Sequence, residues 1–228
     1  MKKSIPRRIW DFLWHSDSLF SWLCCLVLAF VIVKFVFFPL AGLIFSSSLP
    51  FVIIESESLE HKLTHPCIEY DIRGTMCLKE DKSRYVICGE SSEKKEKINF
   101  DRYWQLCGNW YEQRNISKGQ FQDFRFTNGL YKGDIIVVKG SSSYSVGDII
   151  VFRDRQPTPI IHRVVKDEEK IETKGDHNSA QLTYANSNNR VNELNISQEQ
   201  IVGKAIARIP KIGWAKIFFV QLWRKLIR

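Results

Sequence analysis

The sequence predicts a mainly β domain carried behind a single N-terminal transmembrane helix. Three observations lead there. An apolar stretch runs from Leu19 to Phe45, broken by one charge, Lys34. Between residues 129 and 209, short β-branched runs alternate with Gly-Asp turns, the pattern of a sheet or barrel. A charge-rich segment between these parts holds four cysteines. The chain is thus expected to divide into a cytoplasmic or interfacial segment (1–18), a transmembrane helix (19–45), a β domain (46–62 and 126–209), an inserted cysteine-bearing subdomain (63–125) and a membrane-associated C-terminal amphipathic helix (210–228).

The 27-residue stretch would be about 40 Å long as a helix, against a hydrocarbon core of about 30 Å. Placing Lys34 at its centre costs about 3 kcal/mol, whereas its Leu, Ile, Phe and Val residues together gain about 5–10 kcal/mol, so insertion wins. It is too long for a cleaved secretory signal, and no small-x-small site follows. Pro39 predicts a kink in the segment. Lys2, Lys3, Arg7 and Arg8 precede the span and predict a cytoplasmic N-terminus with the remainder extracytoplasmic. Ile5, Ile9, Trp10, Phe12, Leu13 and Trp14 suggest an interfacial helix before it.

The net charge of +8 is concentrated at the ends. Seven basic residues and no acid lie in 204–228, leaving the middle near neutral. This placement excludes a nucleic-acid groove and favours anionic headgroups. The last segment carries Ile212, Trp214, Ile217, Phe218, Phe219, Leu222 and Trp223 among the bases, too short a run to span a bilayer.

Cys24 and Cys25 fall within the span. Cys67, Cys77, Cys88 and Cys107 lie outside it at wide spacings with no C-x-x-C pair, so no zinc or other metal site is expected. Two disulfides are, with three pairings open. Asn115-Ile116-Ser117 and Asn195-Ile196-Ser197 fit the glycosylation sequon.

In the β region, strands are predicted at Ile135–Val138, Ile149–Arg153, Ile160–Val165, Lys170–Lys174 and Ile201–Ile209. Residues 177–200 are polar and Asn-rich and are expected to be loop. Ser56-Glu57-Ser58 follows the apolar run Phe51–Ile54. If that strand continued, Ser56 and Ser58 would share one face and Glu57 the other. Two adjacent hydroxyls can serve as a nucleophile and an oxyanion donor. Nucleophilic Ser needs a base, and the base needs an orienting group. Ser58, His162 (inside a strand) and Asp176 (after Gly175) supply one of each.

These pieces resemble type I signal peptidases of the archaeal and endoplasmic-reticulum kind, which use Ser, His and Asp. The family's S-G-S-M-E-P box reads Ser56-Glu57-Ser58-Leu59-Glu60-His61 here. Its G-D-I-V-V-F strand reads Gly147-Asp148-Ile149-Ile150-Val151-Phe152, and its I-V-H-R-V-V box Ile160 to Val165. Its T-K-G-D-N-N box reads Thr173-Lys174-Gly175-Asp176-His177-Asn178. The resemblance covers about residues 51–62 and 129–209. It implies a signal-peptidase-like β domain with Ser58 as nucleophile, His162 as general base, and Asp176 as the acid. The Ser58 N–H and Ser56 hydroxyl would form the oxyanion hole.

Glu57, Leu59 and His61 depart from the box. The family's second Asp, six residues on, is Leu182 here, which leaves Asp176 as the only acid between Glu172 and Glu193. His61 and His65 are expected to be loop residues, and His177 is not expected to be the base. The implied activity is removal of N-terminal signal peptides with no cofactor. The implied partners are preprotein signal peptides, the lipid bilayer and accessory subunits, with preference for small residues at −1 and −3. The altered box also permits an inactive tethered β domain that binds partner proteins through the insert.

Overall fold

The structure is a computed structural model in which residues 5–70, 77–188 and 190–226 are described. It comprises two compact units, Met1–Ser46 and Ser47–Arg228.

The first unit holds α1 (Ile5–His15) and α2 (Leu19–Phe45). Ser18 caps α2 by accepting a hydrogen bond from the Phe20 N–H. The Ser21 hydroxyl donates to the Phe12 carbonyl at 2.6 Å, tying the two helices together. Ahead of Pro39, where a kink is expected, the helix widens into a π-turn over Val33–Phe37. It precedes the proline, whose ring and missing N–H disturb the preceding turn. Helix α2 is long and apolar enough to cross a membrane, and its apolar window is not buried by protein among the described residues. Lys34 Nζ stands 5.6 and 5.3 Å from the centroids of the Phe30 and Phe35 rings. Lys2 and Lys3, on which the orientation partly rests, lie outside the described residues.

Among the described residues the second unit contains ten strands: β1 (Phe51–Ile53), β2 (Cys67–Tyr70), β3 (Cys77–Glu80), β4 (Tyr85–Ile87), β5 (Glu90–Ser92), β6 (Ile135–Lys139), β7 (Ile149–Phe152), β8 (Ile160–Asp167), β9 (Ile171–Lys174) and β10 (Ile201–Ile209). Six form one sheet in the order β1-β6-β10-β7-β8-β9, with antiparallel neighbours. The predicted strands of residues 135–209 are therefore present. Strand β7 is buried at all four positions, because the sheet is covered on both faces. Ile136, Val138, Ile149, Val151, Leu130 and Leu59 form one apolar cluster, and Ile150, Phe152, Ile160, Val164 and Ile196 another.

The 63–125 segment is not a separate lobe. Its hairpins β2–β3 and β4–β5 accompany α3 (Phe100–Glu112) and α4 (Lys118–Asp123). Tyr103, Trp104, Tyr111 and Phe121 of these helices share a core with Leu63, Ile87 and Val165 of β8. Asn99 caps α3, and Ser117 with Gln120 forms a capping box on α4. The two expected disulfides pair Cys67 with Cys77 and Cys88 with Cys107.

Helix α5 (Trp214–Leu226) closes the chain. The Gly213 N–H donates to the Gly133 carbonyl at 2.8 Å, and Trp214 lies so close that a Cβ on Gly133 would come within 2.2 Å of its ring. Ile212, Trp214, Phe218, Phe219 and Leu222 remain exposed. The side chain of Trp223, and Arg228, lie outside the described residues.

Candidate active site

The segment after β1 is not the extended strand expected. Pairing stops at Ile53, and residues 56–59 turn, closed by the Glu60 N–H donating to the Glu57 carbonyl at 3.0 Å. Two neighbours set that turn. Glu60 is fully buried and accepts from the Lys132 N–H, and Leu59 inserts into the sheet's core. The turn still brings the two hydroxyls together, with Ser56 Oγ and Ser58 Oγ 3.1 Å apart.

His162 projects from β8 between the buried neighbours Ile160 and Val164 and is 3% exposed. It reaches a cleft of about 900 Å³ whose walls include Phe51–Glu55, Ser56, Ser58, Pro157–Ile161 and Leu182. Ser56, Ser58 and His162 thus line one cavity. Gly175 holds them near each other: a Cβ placed on it would lie 2.8 Å from His162 Nε2 and 2.8 Å from the Ser58 carbonyl oxygen. Only a glycine fits there. The His177 N–H fastens the same turn by donating to the Ser58 carbonyl at 2.9 Å. Among the described residues the Ser58 hydroxyl is hydrogen-bonded to Ser56 and not to the imidazole.

The acid on His162 is Glu193, not Asp176. His162 Nδ1 is 2.5 Å from Glu193 Oε1. Glu193 is completely buried and also accepts from the Thr173 hydroxyl (2.9 Å) and the Leu182 N–H (2.6 Å). Each oxygen is therefore engaged, and the carboxylate cannot turn away. This arrangement fixes the tautomer with the proton on Nδ1 and leaves Nε2 to the cleft.

Asp176 points to the other side of its turn and is held by Arg163. Arg163 Nε donates to Oδ1 at 2.9 Å and Nη2 to Oδ2 at 2.6 Å, a two-pronged pair with both side chains fully buried. The Tyr111 hydroxyl donates to Oδ1 at 3.2 Å, and His61 Nε2 lies 3.0 Å from Oδ2. Burial opposes ionisation of Asp176, but the Arg163 guanidinium and the His61 and Arg163 hydrogen bonds hold the carboxyl well below the usual carboxylate range. The remaining Arg163 N–H groups go to the carbonyls of Arg125, Gly147 and Phe126. Asp176 is spent on this pair, which removes it from the orienting role.

His61, expected in a loop, is not solvated there. It is buried and stacks on Tyr103 with centroids 3.6 Å apart. Burial pushes it below the ordinary imidazole range despite Asp176, and among the described residues its buried Nδ1 has no partner, which fits a neutral ring donating from Nε2. His65 packs on Tyr85 and lies 2.9 Å from the Arg84 carbonyl. His177 is 3.2 Å from the Thr64 hydroxyl, and burial, then Lys174, lowers it to about 4, so it is neutral and engaged. Among the described residues no cluster of His, Cys, Asp or Glu suits a metal ion.

No protein-family model and no curated protein sequence matches this chain.

Proposed function

We propose that the chain is a membrane-bound serine endopeptidase that removes N-terminal signal peptides, with Ser58 as nucleophile, His162 as base and Glu193 as its orienting acid. One observation carries the reading: an imidazole pinned through Nδ1 to a fully buried carboxylate, with its other nitrogen at the wall of the cleft that Ser56 and Ser58 line. Nothing in a purely structural sheet requires a histidine pinned by a buried acid at a cleft that two neighbouring hydroxyls line.

In this reading Ser58 Oγ turns from Ser56 towards Nε2, gives up its proton to it and attacks the scissile carbonyl carbon. Glu193 stabilises the resulting imidazolium. The oxyanion takes hydrogen bonds from the Ser58 N–H and the Ser56 hydroxyl, a kind of donor worth about 3–4 kcal/mol in the transition state. Collapse expels the amine, which receives the proton from Nε2. Water, deprotonated by the same nitrogen, then cleaves the ester and returns Ser58.

The cleft suits an extended apolar peptide: Phe51, Ile53, Pro157, Pro159, Ile161 and Leu182 furnish side chains around the hydroxyls. The chain has a helix apolar enough to cross a membrane. With its N-terminus cytoplasmic, that helix would tether the peptidase where a signal peptide emerges, raising its effective concentration. The exposed aromatic side of α5, with Lys211 and Lys216, would rest on the lipid surface.

The test is Ser58→Ala, assayed in membranes on a reporter preprotein. Processing should fall to background. Processing at the wild-type rate would refute the reading and favour a tethered partner-binding domain.

A further inference from the structure

Lys174 is 1% exposed, and the cleavage chemistry leaves it unused. It sits on β9 opposite Arg163 in the strand register. Its Nζ donates to the Gly175 carbonyl at 3.0 Å. Two rings of α3 cover it, with the centroids of Trp110 and Tyr111 at 5.0 and 5.1 Å. Those rings come from the insert, so the insert supplies a lid over a cation inside the catalytic unit.

Resting on the peptidase reading, we propose that Lys174 is a positioning residue of this site: its ammonium, roofed by Trp110 and Tyr111, fixes the Gly175 carbonyl and with it the turn against which Ser58 and His162 both rest. A buried ammonium is costly, and an apolar side chain of the same volume would fill the space at less cost. Packing alone therefore does not account for it. Nor do the two nearby carboxylates depend on it for hydrogen bonds. Asp176 is satisfied by Arg163, His61 and Tyr111, and Glu193 by His162, Thr173 and Leu182. The direct polar partner of Nζ is the carbonyl of the residue whose backbone abuts both His162 Nε2 and the Ser58 main chain.

The charge is also near its limit. Burial lowers Lys174 to about 8. Asp176 from the turn and Glu193 from the following loop oppose that, while Arg114 after α3 and Arg163 on β8 add to it. Tyr103 and Tyr111 of α3 stay protonated, because burial pushes both hydroxyls well above their ordinary value. His177 and His61 are neutral beside it. Since the protonated form is the functional one and its folded value is depressed, the positioning is present below about 8 and is lost as pH rises through it.

The experiment uses the full chain in detergent micelles, cleaving a peptide whose apolar core ends in Ala-x-Ala, with kcat and KM followed from pH 6 to 10. Lys174→Met should lower kcat on the order of 10- to 100-fold through misplacement of the reacting groups, with KM within about threefold. It should also abolish the alkaline fall that the wild type shows near 8. A wild-type kcat, or a reduced kcat with the alkaline fall intact, overturns the proposal. If that variant does not fold, Trp110→Leu decides. Opening the roof to water should move the alkaline fall upward, and an unmoved fall overturns the proposal. Ser58→Ala run alongside separates the two levels. Retained cleavage there sinks the peptidase reading, whereas an inactive Ser58→Ala beside a silent Lys174→Met sinks only the role of Lys174.

Discussion

Replacing Glu193 with Gln tests the acid directly. The side chain is fully buried, and three donors converge on it: the His162 ring, the Thr173 hydroxyl and the Leu182 N–H. An amide has one acceptor oxygen. The Leu182 N–H is backbone, 2.6 Å away, and cannot rotate, so the amide oxygen settles on it and the NH₂ faces His162. That forces His162 into the tautomer with its proton on Nε2, unable to accept one from Ser58. A wrong tautomer in a geometrically intact triad costs up to about 10⁴ in kcat. We expect a fall of about 10³–10⁴, equivalent to about 4–5.5 kcal/mol, with KM changed less than threefold. The assay is steady-state cleavage of the Ala-x-Ala peptide in detergent, with circular dichroism to confirm the fold. A kcat within about threefold of wild type would refute the assignment, above all if Asp176→Asn then abolished turnover in a folded protein.

Asp176→Asn should act on stability first. It leaves Arg163 buried without its counter-charge, a loss of about 3–5 kcal/mol that a denaturant titration would register. Acid should weaken the fold through His177. Its folded value of about 4 lies below the unfolded one, so the stability it contributes is present above about 6.5 and is lost as pH falls towards 4. Melting curves at pH 7 and pH 5 should show this drop, and His177→Gln should flatten it. Gly175→Ala places a methyl 2.8 Å from both His162 Nε2 and the Ser58 carbonyl, so turnover should fall at least about tenfold with the apolar core intact. Normal kinetics would mean that the turn yields more readily than its contacts suggest.

The sheet strands were legible because each is a β-branched run bounded by Gly-Asp or Pro. The 27-residue helix was legible because its length and hydropathy suffice alone. Helix α3 was not read, although Phe100, Tyr103, Trp104, Cys107 and Tyr111 follow the helical period behind the capping Asn99. The surrounding charge runs masked the pattern. His162 stood out as a polar residue in an apolar strand, and Ser58 as part of a hydroxyl pair. Glu193 gave no local signal. It lies in an Asn-rich loop, 31 residues from its histidine, and only tertiary folding joins them. Asp176 misled for the converse reason. Its place in the Gly-Asp turn was right, but the sequence could not show that Arg163, beside His162 on β8, would take it. The strand assumed for Ser56–Ser58 failed because buried Glu60 and Leu59 curl the chain inward.

The strand order has one more consequence. Strand β10, second to last among the chain's elements, lies between β6 and β7. The wall bearing the serines and the wall bearing the imidazole are therefore stitched together by residues 201–209. A nascent chain carries Ser56 and Ser58 for well over a hundred residues of synthesis before the sheet that sets His162 across the cleft from them can close. The two walls of the cleft cannot be joined until residues 201–209 have been made, so the order of synthesis sets assembly of the cleft well behind its first hydroxyl.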